Sequence, residues 1–384
     1  MAQIDIGLSR LSRPASRERS LFQLVDMTLV LAVVGLAVCG LLMIYSATNR
    51  TLFVFGHDPG FYLKRQAAYL AVGLVVMIVA AAVNYRLAKV YAPVFYLLCL
   101  LLLVLVRTPL GTAAKGAQRA FQFGGIQVSP SLLTRLGLTV MLAAYVSEVK
   151  GELSLRHVVR AVALATLPMV LVFIQPDIGT TMILAAILVA LLVVSGAGAR
   201  YLAVLALTAS LAIFGAFQLH IVKDYQVGRL TAFFDPEADV QRAGYNKQQA
   251  EIAIGAGGLT GKGYLQGTQT NLDYVPEQHT DFIFTVVGEE LGFVGAMAVL
   301  VLFGLVLWRA FRIALASKDP FGTYVAIGVV AMFAIQVFVN VGMTIGLMPI
   351  TGIPLPFISY GGSALLVDFA AVGLLLGIHL RSFG

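Results

Sequence analysis

Four stretches of this chain, Met27 to Thr48, Ile178 to Ala199, Tyr201 to Val222 and Leu291 to Trp308, contain no Asp, Glu, Lys or Arg. A helix needs about 20 apolar residues to cross the hydrocarbon of a bilayer, and each stretch is near that length. Inside lipid, every backbone N–H and C=O must find a partner within the protein, which leaves only helices and closed barrels. A barrel strand would alternate apolar and polar side chains over about ten residues, whereas these stretches are apolar throughout. An all-α integral membrane protein is therefore predicted. The 59% hydrophobic and 12% charged content excludes an ordinary soluble domain.

Apolar runs set off by loop signals predict ten membrane helices, near 27–47, 66–83, 88–106, 131–147, 157–174, 177–195, 199–220, 283–308, 322–345 and 359–380. Residues 1–26 form an N-terminal tail, and 27–384 a single polytopic domain. Its one sizeable extramembrane piece, 221–282, is a large extracytoplasmic loop between helices 7 and 8. The tail carries Arg10, Arg13, Arg17 and Arg19 ahead of the first span, as a secretory signal would. That span is too long for a signal core and more spans follow, so it reads as an uncleaved first helix.

The net charge of +7 would suggest nucleic acid in a soluble chain. Here the cations lie mostly in loops and tails between spans, where they set topology and meet anionic lipid groups; nucleic acid is not expected. An even number of helices puts both termini on one side. The positive-inside rule makes that side the cytoplasm, through the tail and the turns holding Arg86, Lys89, Lys150, Arg156, Arg200, Arg309, Arg312 and Lys318. Cations then remain outside, including Arg65, Lys115, Arg119, Arg229, Lys247 and Lys262, and binding of an anionic substrate would explain them.

Pro320 to Val367 has no charged residue, yet its middle, Met348 to Ser363, holds three prolines and several glycines. No straight helix survives that composition. Non-helical backbone at membrane depth is tolerated where it lines a cavity, which is the expectation here. Cys39 and Cys99 sit in apolar runs as small packing residues.

The strongest chemical candidate is Tyr274 to Glu290, where a polar loop with His279 and Asp281 runs into an apolar helix. Spacing favours a helix N-terminus capped by Thr280 or Asp281. A second reading, compatible with it, puts Asp281 at the rim of a cavity as a general base. Transfer from a lipid pyrophosphate needs such a base, together with cations or a metal for the leaving group. Gly255 to Gly263 is glycine-rich but misses the phosphate-loop spacing, and it follows no predicted strand. Asp177 fits a helix cap after Pro176. Arg135 and Asp368, inside spans, each call for a partner or a cavity. His220 and His279 are too far apart for a local metal signature, so any metal identity stays unknown.

Several motifs in order resemble one family: Lys115–Arg119, Gln175–Thr180, Ile252–Gly258, Gly261–Gln269, His279–Phe284 and Gly352–Gly362. That family is the shape, elongation, division and sporulation proteins. The resemblance covers the chain from Asp26 onward, and the forms of Gly261–Gln269 and Gly352–Pro356 favour its elongation branch. It implies a ten-helix peptidoglycan glycosyltransferase of the cytoplasmic membrane that polymerises lipid II, releases undecaprenyl pyrophosphate and pairs with a class B penicillin-binding transpeptidase. It implies Asp281 as the essential acid, with Arg65, Arg119, Arg229 and Gln249 as further sensitive positions. Lys115, Lys262 and His279 join the candidate substrate contacts. No cofactor is specified, although a divalent cation would suit the chemistry.

The chain departs from the family at Ala120, where Trp is usual, and at Ala250, where Ser is usual. A larger departure is Leu132, where the family carries Glu, with Arg135 in place of its Lys. Either that acid is not catalytic or Asp368 compensates for it. The rival function is a transporter that flips the same lipid-linked precursor along the proline-broken segment. A scaffold for the transpeptidase ranks below both, since scaffolding gives no reason for external cations.

Overall fold

The computed structural model describes residues 25–114, 117–123, 126–149, 151, 153–219, 224–235 and 243–382. The first three helices are α1 (Met27–Val54), α2 (Phe61–Ala82) and α3 (Tyr85–Leu105). A small antiparallel sheet follows, of β1 (Thr112–Ala114), β2 (Ala117–Phe123) and β3 (Ile126–Val128), in the order β1-β2-β3. Then come α4 (Pro130–Ser147), α5 (Leu155–Ile174), α6 (Ile178–Val194) and α7 (Ala199–Gln218). The long loop contains α8 (Asp224–Phe234), α9 (Ala243–Gly257) and the single turn α10 (Thr268–Asn271). The chain ends with α11 (Ile283–Ala316), α12 (Pro320–Thr344) and α13 (Gly362–Ser382).

Nine of these helices are at least 18 residues long and apolar enough to span a membrane, and α6 is a shorter apolar helix among them. Together they match the ten predicted spans to within a few residues, apart from extensions at α1, α2 and α11. The inner helices α4 and α12 are the most buried, with α6, α11 and α13 against them. The outer face of α7 is bare, as a lipid-facing helix would be.

Each boundary has a local cause. Asp26 opens α1 by accepting from the Leu29 amide at 3.1 Å, and it also takes Arg309 of α11 at 2.7 Å. Asp177 caps α6 through the Thr180 amide at 2.9 Å, as its position after Pro176 predicted. Asp319 caps α12 through the Gly322 amide at 2.7 Å.

The small sheet is absent from the predicted elements. Its signal was the short alternation Phe121-Gln122-Phe123 before Gly124-Gly125, a dipeptide suited to a two-residue hairpin turn. The loop at 221–282 is also more helical than its composition suggested. Its α9 packs on α11, and a small apolar cluster of Ala250, Ala253, Val275 and Phe282 lies beneath it.

The glycine-rich run after α9 has a structural use. Helix α11 breaks at Gly292, whose φ is +66°. The segment 258–263 lies across the break and takes up the hydrogen bonds the helix gives away. Phe293 and Val294 amides donate to the carbonyls of Gly258 and Leu259, while Lys262 and Gly263 amides donate to those of Glu289 and Glu290. A Cβ at Gly261 would come within 2.1 Å of the Glu290 carbonyl oxygen, so the crossing requires glycine.

Candidate active site

Residues 345–361 are non-helical, as the three prolines predicted, and they form one wall of a cavity of about 560 Å³. The start of α2 contributes Phe61, Tyr62, Arg65 and Tyr69, and the sheet contributes Gln122 and Gln127. Ser129 and Leu132 come from the start of α4, and Gly362 to Ala364 from the start of α13. The loop before α11 supplies Glu277, His279, Thr280 and Asp281. Every contributing element reaches the cavity at the same end of the bundle.

Asp281 does not cap α11. The cap position is Phe282, where no side chain bonds to the first turn, and the Thr280 hydroxyl instead turns back to Glu277 at 3.1 Å. The backbone of residues 279–281 is fixed differently: three successive carbonyls each accept a bond from residues far downstream. His279 O accepts from the Tyr360 amide at 2.9 Å, and Thr280 O from the Ser359 hydroxyl at 2.6 Å. Asp281 O accepts from the Asn340 side-chain amide at 2.8 Å. The carboxylate is thereby held half-buried at the cavity rim on a backbone with little freedom.

Arg229, on α8, donates to the Thr351 carbonyl at 3.2 Å. A Cβ at Gly352 would lie 3.2 Å from Asp281 Oδ2 and 3.9 Å from Arg229 Nη1, so acid and guanidinium close on one point of backbone. The absence of a side chain there, at a φ of +74°, permits the approach.

His279 lies in an aromatic cluster, its ring centroid 4.8 Å from Tyr62 and 5.7 Å from Tyr360. Arg65 sits over the Phe61 ring at 5.2 Å and lines the same cavity. In the loop leading to Glu277, burial and the Glu277 charge push the Asp273 carboxyl above the usual carboxylate range.

Of the expected contacts, Arg65, His279 and Asp281 share the cavity, and Arg229 approaches Gly352, as Asp281 does. Others are engaged elsewhere. Arg119 bonds the carbonyls of Gln175 and Pro176, fixing β2 to the turn before α6. Lys262 is ion-paired at 2.9 Å with Glu289, which is fully buried, and that carboxylate also accepts from the amides of Gln269 and Thr270. This pairing anchors the glycine-rich crossing, and Lys262 does not line the cavity. Gln249 is half-buried on α9, also away from the lining. Lys115 lies outside the described residues, as does His220.

Arg135 and Asp368 are both buried behind the cavity wall. Arg135 donates to Gln336 at 2.9 Å and to Thr180 at 3.0 Å. Asp368 accepts from the Phe357 backbone, with the Arg135 charge nearby. This arrangement makes Asp368 an interior counter-charge; Leu132, by contrast, does line the cavity, and Asp368 does not take the place of an acid there. Cys39 and Cys99 are free thiols. Among the described residues, no three His, Cys, Asp or Glu side chains are grouped to hold a metal.

Sequence reasoning overlooked Asn340, Ser359, Tyr62 and the two glutamines of the sheet. An Asn in a largely apolar span was the available signal, because an amide in hydrocarbon needs partners.

The chain matches a family model described as cell cycle protein, FtsW/RodA/SpoVE, over residues 27–382. It is similar to the peptidoglycan glycosyltransferase MrdB of Escherichia coli (strain K12), 39% identical over 357 residues, which span 92% of this chain and 93% of that one. It is also similar to the stage V sporulation protein E of Bacillus subtilis (strain 168), at 35% identity over 93% of this chain and 97% of the relative. Among solved structures, one titled for the coordination of polymerization and crosslinking by a peptidoglycan synthase complex matches with a TM-score of 0.78 and 30% identity, over 94% of this chain and 98% of that one. The rod shape determining protein RodA of Thermus thermophilus matches with a TM-score of 0.69 and 29% identity, over 94% and 98% of the two chains.

Proposed function

Because the chain belongs to the FtsW/RodA/SpoVE family of cell cycle proteins, we propose that the cavity beside Asp281 is where it joins lipid-linked cell-wall disaccharides into glycan. The protein is a peptidoglycan glycosyltransferase, a lipid II polymerase serving cell elongation and rod-shape maintenance, and a multi-pass membrane protein. The observation that carries the assignment of the site is the fixed Asp281 carboxylate at the rim of the cavity, with Arg229 beside it.

In this reading the Asp281 carboxylate takes the proton from the 4-hydroxyl of the acceptor sugar. The freed oxygen pair attacks the anomeric carbon of the donor from the face opposite the pyrophosphate. The new C–O bond forms as the old one breaks, the configuration inverts, and the electron pair leaves on undecaprenyl pyrophosphate. Arg65 and Arg229 supply positive charge where the departing oxygens gather it. The end of the bundle opposite Asp281 carries Arg86, Arg200, Arg309 and Lys318, which supports a cytoplasmic placement for that end and an extracytoplasmic one for the cavity. The partner is a class B penicillin-binding transpeptidase, which would cross-link the strands as they emerge.

A carrier would need a route from the cavity to the other face. Below the cavity stands the buried Arg135–Gln336–Thr180 cluster, which favours polymerisation in place. The test is reconstitution with the transpeptidase and labelled lipid II, followed by separation of glycan chains on a gel. Polymer from the parent, and none from a folded Asp281→Ala protein, is the expected result; unchanged polymer from Asp281→Ala would remove the acid from the mechanism.

A further inference from the structure

The cavity has a second wall that the proton transfer leaves unused. Gln122 of β2 and Gln127 of β3 are register partners in the antiparallel pair, so their side chains stand next to each other on one face of the hairpin. Both are exposed and both line the cavity. Phe121, the neighbour of Gln122 on β2, is buried on the opposite face. The hairpin is attached on two sides. The Thr112 hydroxyl donates to the Ala120 carbonyl at 2.9 Å, and the Ser363 hydroxyl, at the start of α13, donates to the Gln127 carbonyl.

Resting on the glycosyltransferase reading above, we propose that Gln122 and Gln127 form a subsite for the 2-acetamido sugar of the lipid-linked substrate. A primary amide offers two N–H donors and one carbonyl acceptor, and an acetamido group offers one of each. Two adjacent amides can therefore pair with the acetamido N–H and C=O while also reaching a ring hydroxyl. The wall is neutral: its other polar members are the hydroxyls of Ser129 and Ser363. Positive charge in the cavity comes from Arg65, on α2. The lining is thus divided between a part that carries charge, with Arg65, Glu277 and Asp281, and a neutral amide part suited to a sugar. In the same cavity, the rings of Tyr62 and Tyr360, 4.9 Å apart, offer apolar surface to a sugar face.

A site built to hydrogen-bond a substituent discriminates strongly against an analogue that lacks it. The experiment compares natural lipid II with an analogue whose 2-acetamido groups are replaced by hydroxyls, using the reconstituted parent and the Gln122→Ala/Gln127→Ala protein. The parent is expected to prefer the acetamido substrate by about tenfold or more in kcat/KM. The double variant is expected to show KM for lipid II raised about tenfold, kcat within about twofold, and a preference reduced below about threefold. Gln122→Glu, which keeps the shape and loses the donors, should lower the preference in the same direction with an unchanged thermal unfolding midpoint. Parent-like KM and preference in both variants would overturn the proposal and make the hairpin a cover only. Full polymer from Asp281→Ala would instead withdraw the reading on which the subsite rests, and it is read separately from the preference ratio.

Discussion

The side-chain amide of Asn340 donates to the Asp281 carbonyl at 2.8 Å and to the Ile353 carbonyl at 2.7 Å, and no part of it is exposed to solvent. One residue near the end of α12 thus ties the 279–281 loop to the proline-rich wall.

Asn340→Ala leaves two buried carbonyls without their donor, at a cost of about 1–3 kcal/mol each. The expected result is a protein that still inserts, unfolds at lower temperature and polymerises with kcat down about tenfold or more at little-changed KM. Steady-state assays on lipid II would check this; a rise in KM alone would place Asn340 in binding.

Glu289 is the shared acceptor for Lys262, Gln269 and Thr270. Glu289→Ala removes a buried partner from several donors at once and is expected to destabilise the fold by about 3–5 kcal/mol. Lys262→Ala, which leaves the carboxylate its backbone donors, should cost less. Thermal unfolding of the two variants in one detergent orders them, and a larger loss for Lys262→Ala would contradict the assignment.

Gly261→Ala and Gly292→Ala each put a Cβ against backbone, at 2.1 Å from Glu290 O and 2.2 Å from Gly261 N, in left-handed conformations. Both are expected to prevent accumulation of folded protein. Gly304→Ala, in the same helix α11 with nothing within 4 Å of the added carbon, should accumulate normally. Membrane fractionation and fluorescence size exclusion would compare the three.

The ion pair of Asp26 with Arg309 lies at the end of the bundle away from the cavity. Asp26→Ala is expected to lower the unfolding midpoint by several degrees, while polymerisation per folded molecule stays within about twofold of the parent. A loss of kcat matching that of Asn340→Ala would show that the two ends of the bundle are coupled.

Much of the architecture was legible because hydrocarbon imposes a length and a composition that the sequence cannot hide: the runs from Met27, Tyr201 and Leu291 could be little else. The proline-rich wall was legible for the same reason in reverse, since Pro354 and Pro356 cannot extend a helix through lipid. Asp281 could be picked out by its place before an apolar run. Its surroundings could not, because Tyr360, Ser359 and Asn340 reach the 279–281 backbone across roughly sixty to eighty intervening residues, and no periodicity encodes such contacts. Lys262 and Arg119 were read as external charge because spacing cannot distinguish a cation facing solvent from one satisfied by a buried carboxylate or by backbone carbonyls. The sheet went unread because its strands are short and lie between long helices whose signal dominates.

The break at Gly292 also bears on how the molecule is made. The part of α11 beyond the break borrows backbone bonds from residues 258–263, which leave the ribosome earlier and, in the orientation proposed above, cross the bilayer before the helix that needs them. Translocation of that segment and insertion of α11 are therefore a single assembly event. A defect in exporting the segment would appear as a helix that cannot settle in lipid, with the loss of enzyme following from it.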